Sequence, residues 1–470
     1  MTMKPSIETN SLFKILRQSA KEKPVDAIEK LVRDGEDHEL CRINALAFAA
    51  KHQLNEEDVI AAFLHAARLS IFDMSWNILC PACGGVLDSG ATLKTVKQTE
   101  YTCVLCAEEC EPTLDEIVEV SFTISPRVRR IAAHDPETLP FLQYYRQIFW
   151  SSGVDLPDDK ELEKWVNETT LDAVELSAGE KKELSVHLPE GYIIIFDPVL
   201  HMSQHIEVSG EPASETQSLS FIMTRDQSPA APLQMRPGPL RITLENRLNV
   251  RTLPAVWIVT DRIHELVSKR RPFLTAKGLL TNQTFRDIYR TDTLDVDQRL
   301  KITSLSFLFT DLKGSTELYE RVGDLAAYDL VRAHFRILNE IVAAEKGAVV
   351  KTIGDAVMAT FPSPDRAMSA ALKMREAVKD LKGDLLLKIG IHEGPCLAVS
   401  LNDRQDYFGR TVNIAARVQG LATSRSIFAT NRVVSDRGAS ELLRSNGIAA
   451  TPEKRSLRGI ANQIEIFEIP

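Results

Sequence analysis

Ser306-Phe307-Leu308-Phe309-Thr310-Asp311-Leu312-Lys313-Gly314-Ser315-Thr316 decides the reading of this chain. The apolar first half predicts a strand. The strand ends on an acid and runs into a glycine turn. Backbone N–H groups of such a turn, at a helix start, suit phosphate oxygens. Forty-four residues after Asp311 a second acid stands in a tight turn, Lys351-Thr352-Ile353-Gly354-Asp355-Ala356-Val357-Met358-Ala359. Its glycine fits the first position of a two-residue hairpin loop. A third stretch follows, Asp406-Tyr407-Phe408-Gly409-Arg410-Thr411-Val412-Asn413-Ile414-Ala415-Ala416-Arg417. Between these the pattern alternates. Tyr328, Val331, Phe335, Leu338 and Val342 form one helical apolar face, stopped by Gly347. A second helix is predicted over 365–381 and a third over 411–421. Strands are predicted over 385–391 and 396–399, and Gln463 to Ile469 closes the chain as a strand.

Working outward, the chain has 470 residues, a length that suggests about three domains. It carries 26% charged and 44% apolar residues, an ordinary balance for a soluble globular protein. The net charge of -9 argues against nucleic acid as the main partner. Apolar runs such as Tyr192 to Phe196 are too short to span a bilayer, and no signal-peptide core follows Met1. A cytoplasmic location with no membrane partner is expected. No internal repeat is visible.

Residues 9–70 read as helices, with Asn55 as a cap followed by Glu56, Glu57 and Asp58. Two short helices and the extended Phe72 to Leu79 would suit a small winged-helix-like module. Next come Cys80-Pro81-Ala82-Cys83 and, with nineteen residues between, Cys103-Val104-Leu105-Cys106. Two C-x2-C pairs separated by a hairpin-sized loop predict a closed four-cysteine zinc site, structural rather than catalytic. Cys110 is a spare thiol, and Cys41 and Cys396 read as packing cysteines. Val118, Val120, Phe122 and Ile124 alternate with polar residues and predict a half-buried strand. Residues 137–170 are helical in pattern. From 180 to 260 short strands alternate with Pro, Gly and Asn turns, predicting a sandwich or partial barrel. The proline-bearing stretch 227–239 reads as a loop.

Taken singly, each chemical feature has a bland alternative. Asp311 could cap a helix, Gly354-Asp355 is a common turn, and Arg417 could be solvated. Together, two acids at strand ends suit hard divalent cations and in-line displacement at phosphorus. On these stretches, residues 304–430 resemble the class III nucleotidyl cyclases, the adenylate and guanylate cyclase catalytic domain. The resemblance implies a ferredoxin-like sheet active as a homodimer, with two Mg²⁺ or Mn²⁺ per site. It implies that Asp311 and Asp355 bind metal, with the Leu312 carbonyl beside them. Gly314, Ser315 and Thr316 would meet the triphosphate. Lys351 and Asp406 look like the base-selecting pair, Asn413 and Arg417 like the transition-state residues. Arg458, in Leu457-Arg458-Gly459, stands where the family often has a phosphate-binding Lys. Residues 40–290 resemble amino-terminal regions of uncharacterised function that precede some bacterial soluble cyclase domains.

The expectation is an α/β (α+β) chain in four parts. A helical module spans 1–75, a zinc ribbon 76–112, a β-rich regulatory domain 113–295 and a class III cyclase domain 296–470. The expected reaction is ATP to 3′,5′-cyclic AMP and pyrophosphate, regulated by an unidentified ligand or protein acting on the N-terminal region. The alternatives are a guanylate cyclase, or a zinc-ribbon adaptor or nucleic-acid-binding protein with an inactive cyclase domain.

Overall fold

The computed structural model describes residues 7–96, 100–224, 231–289, 294, 298–313, 320–379, 386–401, 404–422, 426–460 and 463–470. The chain forms two units. One comprises Met1–Ala91, Thr95–Pro112 and Ile117–Leu274, the other Thr92–Lys94, Thr113–Glu116 and Thr275–Pro470.

In the first unit, helices Ile7–Ser19, Glu22–Asp34, Ala45–His52 and Glu56–Arg68 bury apolar faces. The Asn55 side chain caps the last of these, accepting from the Asp58 N–H. Strands β1 (Phe72–Leu79), β2 (Val86–Gly90) and, beyond the cysteines, β5 (Val118–Ile124) form a sheet in the order β2-β1-β5. Phe63 stacks on Phe122 at 5.0 Å between ring centroids, which ties the last helix to β5. The short strands β3 (Tyr101–Cys103) and β4 (Glu108–Cys110) pair as a hairpin around the second cysteine pair.

The alternation in β5 does not make it half-buried. Glu119 and Ser121 are as buried as their apolar neighbours. Asn77 on β1 donates to Glu119 and Ser121, both at 2.9 Å, and Ser152 donates to Glu119 at 2.6 Å. The polar face is buried because its residues satisfy one another, a property of pairing that a single strand does not display.

Most of the remaining strands of this unit form a sandwich. Strands β6 (Thr170–Ala173), β7 (Lys181–Leu188), β8 (Gly191–Asp197), β9 (Met202–Val208), β10 (Gln217–Met223), β11 (Leu233–Met235), β12 (Gly238–Asn246) and β13 (Ala255–Ile258) make two sheets. Their orders are β10-β12-β7 and β11-β9-β8-β13-β6. Leu188, Ile193, Ile195, Ile206, Leu240 and Ile242 fill the space between them. Stretch 227–239 is not all loop. Leu233–Met235 adds to β9 as an edge strand, with Pro232 and Pro237 just outside the ladder, where a missing N–H costs nothing.

The second unit holds one mixed sheet of eight described strands. These are β14 (Leu300–Lys313), β15 (Ala348–Ile353), β16 (Ala356–Phe361), β17 (Leu386–Leu401), β18 (Arg404–Phe408), β19 (Ile427–Thr430), β20 (Thr451–Arg455) and β21 (Ile464–Ile469). The order is β15-β16-β14-β17-β19-β21-β20, with β18 paired to β17. Helices Asp324–Ala344 and Pro364–Lys379 cover one face. Two expectations change here. The two strands expected on either side of Pro395 are one strand, Leu386–Leu401, because Pro395 falls opposite a register shift between Ile302 and Leu305, where no N–H is needed. Tyr328 is 58% exposed, and Ala327 takes the core position instead.

Candidate active site

The acids come first. The β14–β16 ladder ends at Thr310↔Val357. Asp311 is the next residue on one strand, and Asp355 lies two residues back from Val357 on the other. Both carboxylates therefore stand at the same end of two neighbouring strands. Gly354, at φ +64°, makes the turn that carries Asp355. The Asp355 Oδ2 atom is buried and has no hydrogen-bond partner. Lys388, the cross-strand partner of Asp311, holds its Nζ 3.7 Å from the Asp311 Oδ2. An unpartnered carboxylate oxygen beside a second acid suits a hard dication with oxygen ligands. The Leu312 side chain is buried. Gly314, Ser315 and Thr316 lie outside the described residues.

The expected base-selecting pair is brought into contact. Lys351 Nζ lies 2.5 Å from Asp406 Oδ2. The other Asp406 oxygen accepts from the Tyr407 N–H at 2.8 Å. Arg286, from the helix Gln283–Ile288, donates to the Gln405 carbonyl at 2.8 Å and lies over the Tyr407 ring at 6.0 Å. It braces the strand that presents Asp406. Nothing near Arg286 in the sequence marks it for this.

Asn413 and Arg417 sit one turn apart on the helix Arg410–Leu421, hence on one face. With Phe408, Gly409, Arg410, Gly459 and Ile460 they line a hollow of about 490 Å³. That helix lies against β17 at Gly390, where a Cβ would stand 2.1 Å from the Gln419 nitrogen. Gly459 packs close to the Arg417 guanidinium, so the Arg458 loop borders the same hollow, with Arg458 itself exposed. Among the described residues no hydrogen bond or ion pair joins Asp311 or Asp355 to Lys351, Asp406, Asn413 or Arg417.

His334 was not anticipated. It is fully buried on the apolar face of Asp324–Ala344, and neither ring nitrogen has a partner. Burial pushes its pKa down to about 4, against the pull of the Asp355 carboxylate. The signal was a histidine on the stripe of Val331 and Leu338, which the apolar count passed over.

The four cysteines converge. Cys80, Cys83, Cys103 and Cys106 bring their sulfurs within 4.8 Å of one another. Cys83 and Cys103 are 3.8 Å apart. Tetrahedral zinc with bonds of about 2.3 Å sets its sulfurs about 3.8 Å apart, so the set fits that ion. Hydrogen bonding from Cys103, then Cys106 and Cys83, holds the Cys80 thiol well below its ordinary value. N–H groups of Cys83 and Gly85 point at Cys80 and Cys83 sulfurs, at 3.5 and 3.4 Å. Arg270, unforeseen in the sequence, donates to the Ala82 carbonyl at 2.9 Å and sets a positive charge by the cluster.

Residues 6–287 match a family of unknown function (DUF5939), and residues 298–455 match the adenylate and guanylate cyclase catalytic domain. Adenylate cyclase 2 of Rhizobium meliloti is 32% identical over 132 residues, covering 24% of this chain and 36% of the relative. A pH-sensitive adenylate cyclase of Mycobacterium tuberculosis is 32% identical over 164 residues, covering 34% and 39%. An adenylate cyclase of Mycosarcoma maydis is 30% identical over 168 residues, covering 30% of this chain and 7% of the relative. The matches thus span well under half the length of these curated relatives. Among solved structures, the adenylyl cyclase CyaB from P. aeruginosa is similar, at 21% identity and a TM-score of 0.33, over 37% of this chain and 96% of that one. The guanylate cyclase domain of RhGC from Catenaria anguillulae is similar at 19% identity and 0.33, over 36% and 97%.

Proposed function

We propose that this chain, which belongs to the DUF5939 family through residues 6–287 and carries an adenylate and guanylate cyclase catalytic domain over residues 298–455, is an adenylate cyclase. Its reaction is ATP to 3′,5′-cyclic AMP and pyrophosphate. The observation that carries the choice of base is the Lys351–Asp406 contact at 2.5 Å. Adenine offers a donor at N6 and an acceptor at N1. Asp406 accepts from the first and Lys351 donates to the second. Guanine reverses that polarity. The names of the three relatives point the same way.

Asp311 and Asp355, with the Leu312 carbonyl, would hold the divalent cations, and the bare Asp355 oxygen fits that role. Two Mg²⁺ or Mn²⁺ ions there supply activation of the ribose 3′-hydroxyl and neutralisation of the leaving pyrophosphate. Asn413 orients the ribose, and Arg417 meets the charge that grows on the α-phosphate. Gly314, Ser315, Thr316 and Arg458 hold the triphosphate.

The site is shared between two copies. Lys351 and Asp355 flank one turn, yet one must reach the base and the other the metal. A two-fold pair resolves this by facing the acids of one chain toward Lys351, Asp406, Asn413 and Arg417 of the other. Exposed apolar residues in this unit support such a face, notably Leu325 at 79% and Phe408 at 66%. In this reading the helical module, the zinc ribbon and the β-rich domain regulate the catalytic domain. No described helix is long and apolar enough to cross a membrane, and we place the enzyme in the cytoplasm.

The test is product formation by the full chain with Mn²⁺ and either ATP or GTP. Cyclic AMP at a rate well above cyclic GMP is the expected result. Equal rates would sink the base assignment, and neither product would leave an inactive cyclase domain on an adaptor.

A further inference from the structure

Strand β8 is apolar on both faces, and the two faces do different things. Ile193 and Ile195 enter the sandwich core. Ile194 and Phe196 face away from it, into a second cluster with Cys80, Cys83 and Cys103. Helices Asp159–Thr169 and Asp261–Ser268, the turn Tyr145–Phe149 and the second cysteine knuckle cover this outer face. They do not fill it. A cavity of about 380 Å³ remains, within the range of about 300–1,000 Å³ typical of small-molecule sites.

Six aromatic side chains stand in its walls among Leu, Ile and Val: Tyr145, Trp150, Trp165, Tyr192, Phe196 and Trp257. Three of the chain's four tryptophans are among them. No Lys or Arg lines it among the described residues. The buried Trp257 Nε1 faces the Tyr145 hydroxyl, and neither atom is open to the cavity. Among the other polar groups, His205 bonds the Val104 carbonyl at 2.8 Å and the Tyr192 hydroxyl at 3.2 Å, Trp165 donates to the Arg262 carbonyl at 3.4 Å, and the exposed Glu108 adds one carboxylate to the lining.

We propose that this cavity binds a neutral, largely apolar, ring-bearing small molecule. Each clause follows from the lining. Stacked and edge-on aromatic walls favour a ring. An anion would find no positive side chain. A cation would gain from the ring faces, but it would meet a carboxylate only at the exposed Glu108 and would give up its hydration to otherwise apolar walls. Cys83 and Cys106 form part of the wall, so the ligand would lie against the cysteine cluster. The proposal concerns binding in the first unit and stands apart from the cyclase reading.

The test uses the full chain and Prodan, a neutral naphthyl ketone whose emission moves to the blue on leaving water. Saturable binding at one site per chain is expected, with energy transfer from tryptophan. Trp165→Leu and Trp257→Leu should each weaken it about three- to tenfold, the loss of one ring-on-ring contact. Val259→Trp should fill the cavity and abolish it, with circular dichroism unchanged for at least one of the three variants. Naphthoate and naphthylmethyl-trimethylammonium should compete at least about tenfold less well than the neutral ketone acetonaphthone. No saturable signal up to about 1 mM overturns the proposal. So does binding left unchanged by all the folded variants. Stronger competition by the ammonium would overturn the ligand class and make the cavity an aromatic cage for cations.

Discussion

Lys351 reaches Asp406 across strands that share no ladder: β15 pairs with β16 and β18 with β17, yet Nζ and Oδ2 are 2.5 Å apart. Asp406 is held from behind by the Tyr407 N–H and Lys351 meets it from the half-exposed side. Each end of the pair therefore presents one polar group to the same point. Exchanging both, Lys351→Glu with Asp406→Cys, should lower kcat/KM for ATP by at least about tenfold and narrow or reverse the preference over GTP. Steady-state rates with each nucleotide measure this. An unchanged ATP preference in the double variant would remove the pair from base selection.

Gly390 sets the position of the helix that carries Asn413 and Arg417. A methyl there meets the Gln419 backbone, not a flexible side-chain end. Gly390→Ala should cost about 1–3 kcal/mol of stability through overpacking. Activity should suffer more, because a shift of about 1 Å at a catalytic group can cost about 10²-fold. Urea melts beside kcat measure the two effects. Wild-type turnover in this variant would show that the helix position is not set at Gly390.

The cysteine cluster should carry one Zn²⁺ per chain on elemental analysis of protein purified without added metal. Its sulfurs share a core with Phe149, Trp150 and Phe196, so metal loss should loosen that core too. Cys103→Ser should destabilise the first unit by more than about 2 kcal/mol, since binding energy at such a site is folding energy. Equal stability of the serine variant, or native protein free of zinc, would contradict this.

Much of this was legible because some residues announce their place locally. Cysteine pairs at fixed spacing, an acid after an apolar strand and a glycine in a tight turn each restrict the backbone that can hold them. The helix start at Asn55 and the short strands of the sandwich were readable for the same reason. What failed were properties of pairing. Glu119 and Ser121 are buried by partners on β1 and at Ser152, far away in sequence. Pro395 reads as a break, but the register shift at Ile302 and Leu305 in the facing strand absorbs it. Arg286, His334 and Arg270 matter through what the fold sets beside them, and no local pattern encodes that. The run Tyr192 to Phe196 reads as one short apolar strand among several, and only the packed structure shows that its outer face borders a cavity.

The central claim is a cyclase site shared between two copies of this chain. Asp355→Ala alone and Asn413→Ala alone should each lose activity, by about 10²–10³ for one transition-state donor. Mixing the two variants restores an intact acid pair opposite an intact Asn413 and Arg417 at one of the two sites of a heterodimer. Cyclic AMP formation by co-expressed, differently tagged variants, purified through both tags in turn, is the decisive measurement. Recovery toward half the wild-type rate is the predicted result. Heterodimers that form and stay at the single-variant rate would contradict the shared site.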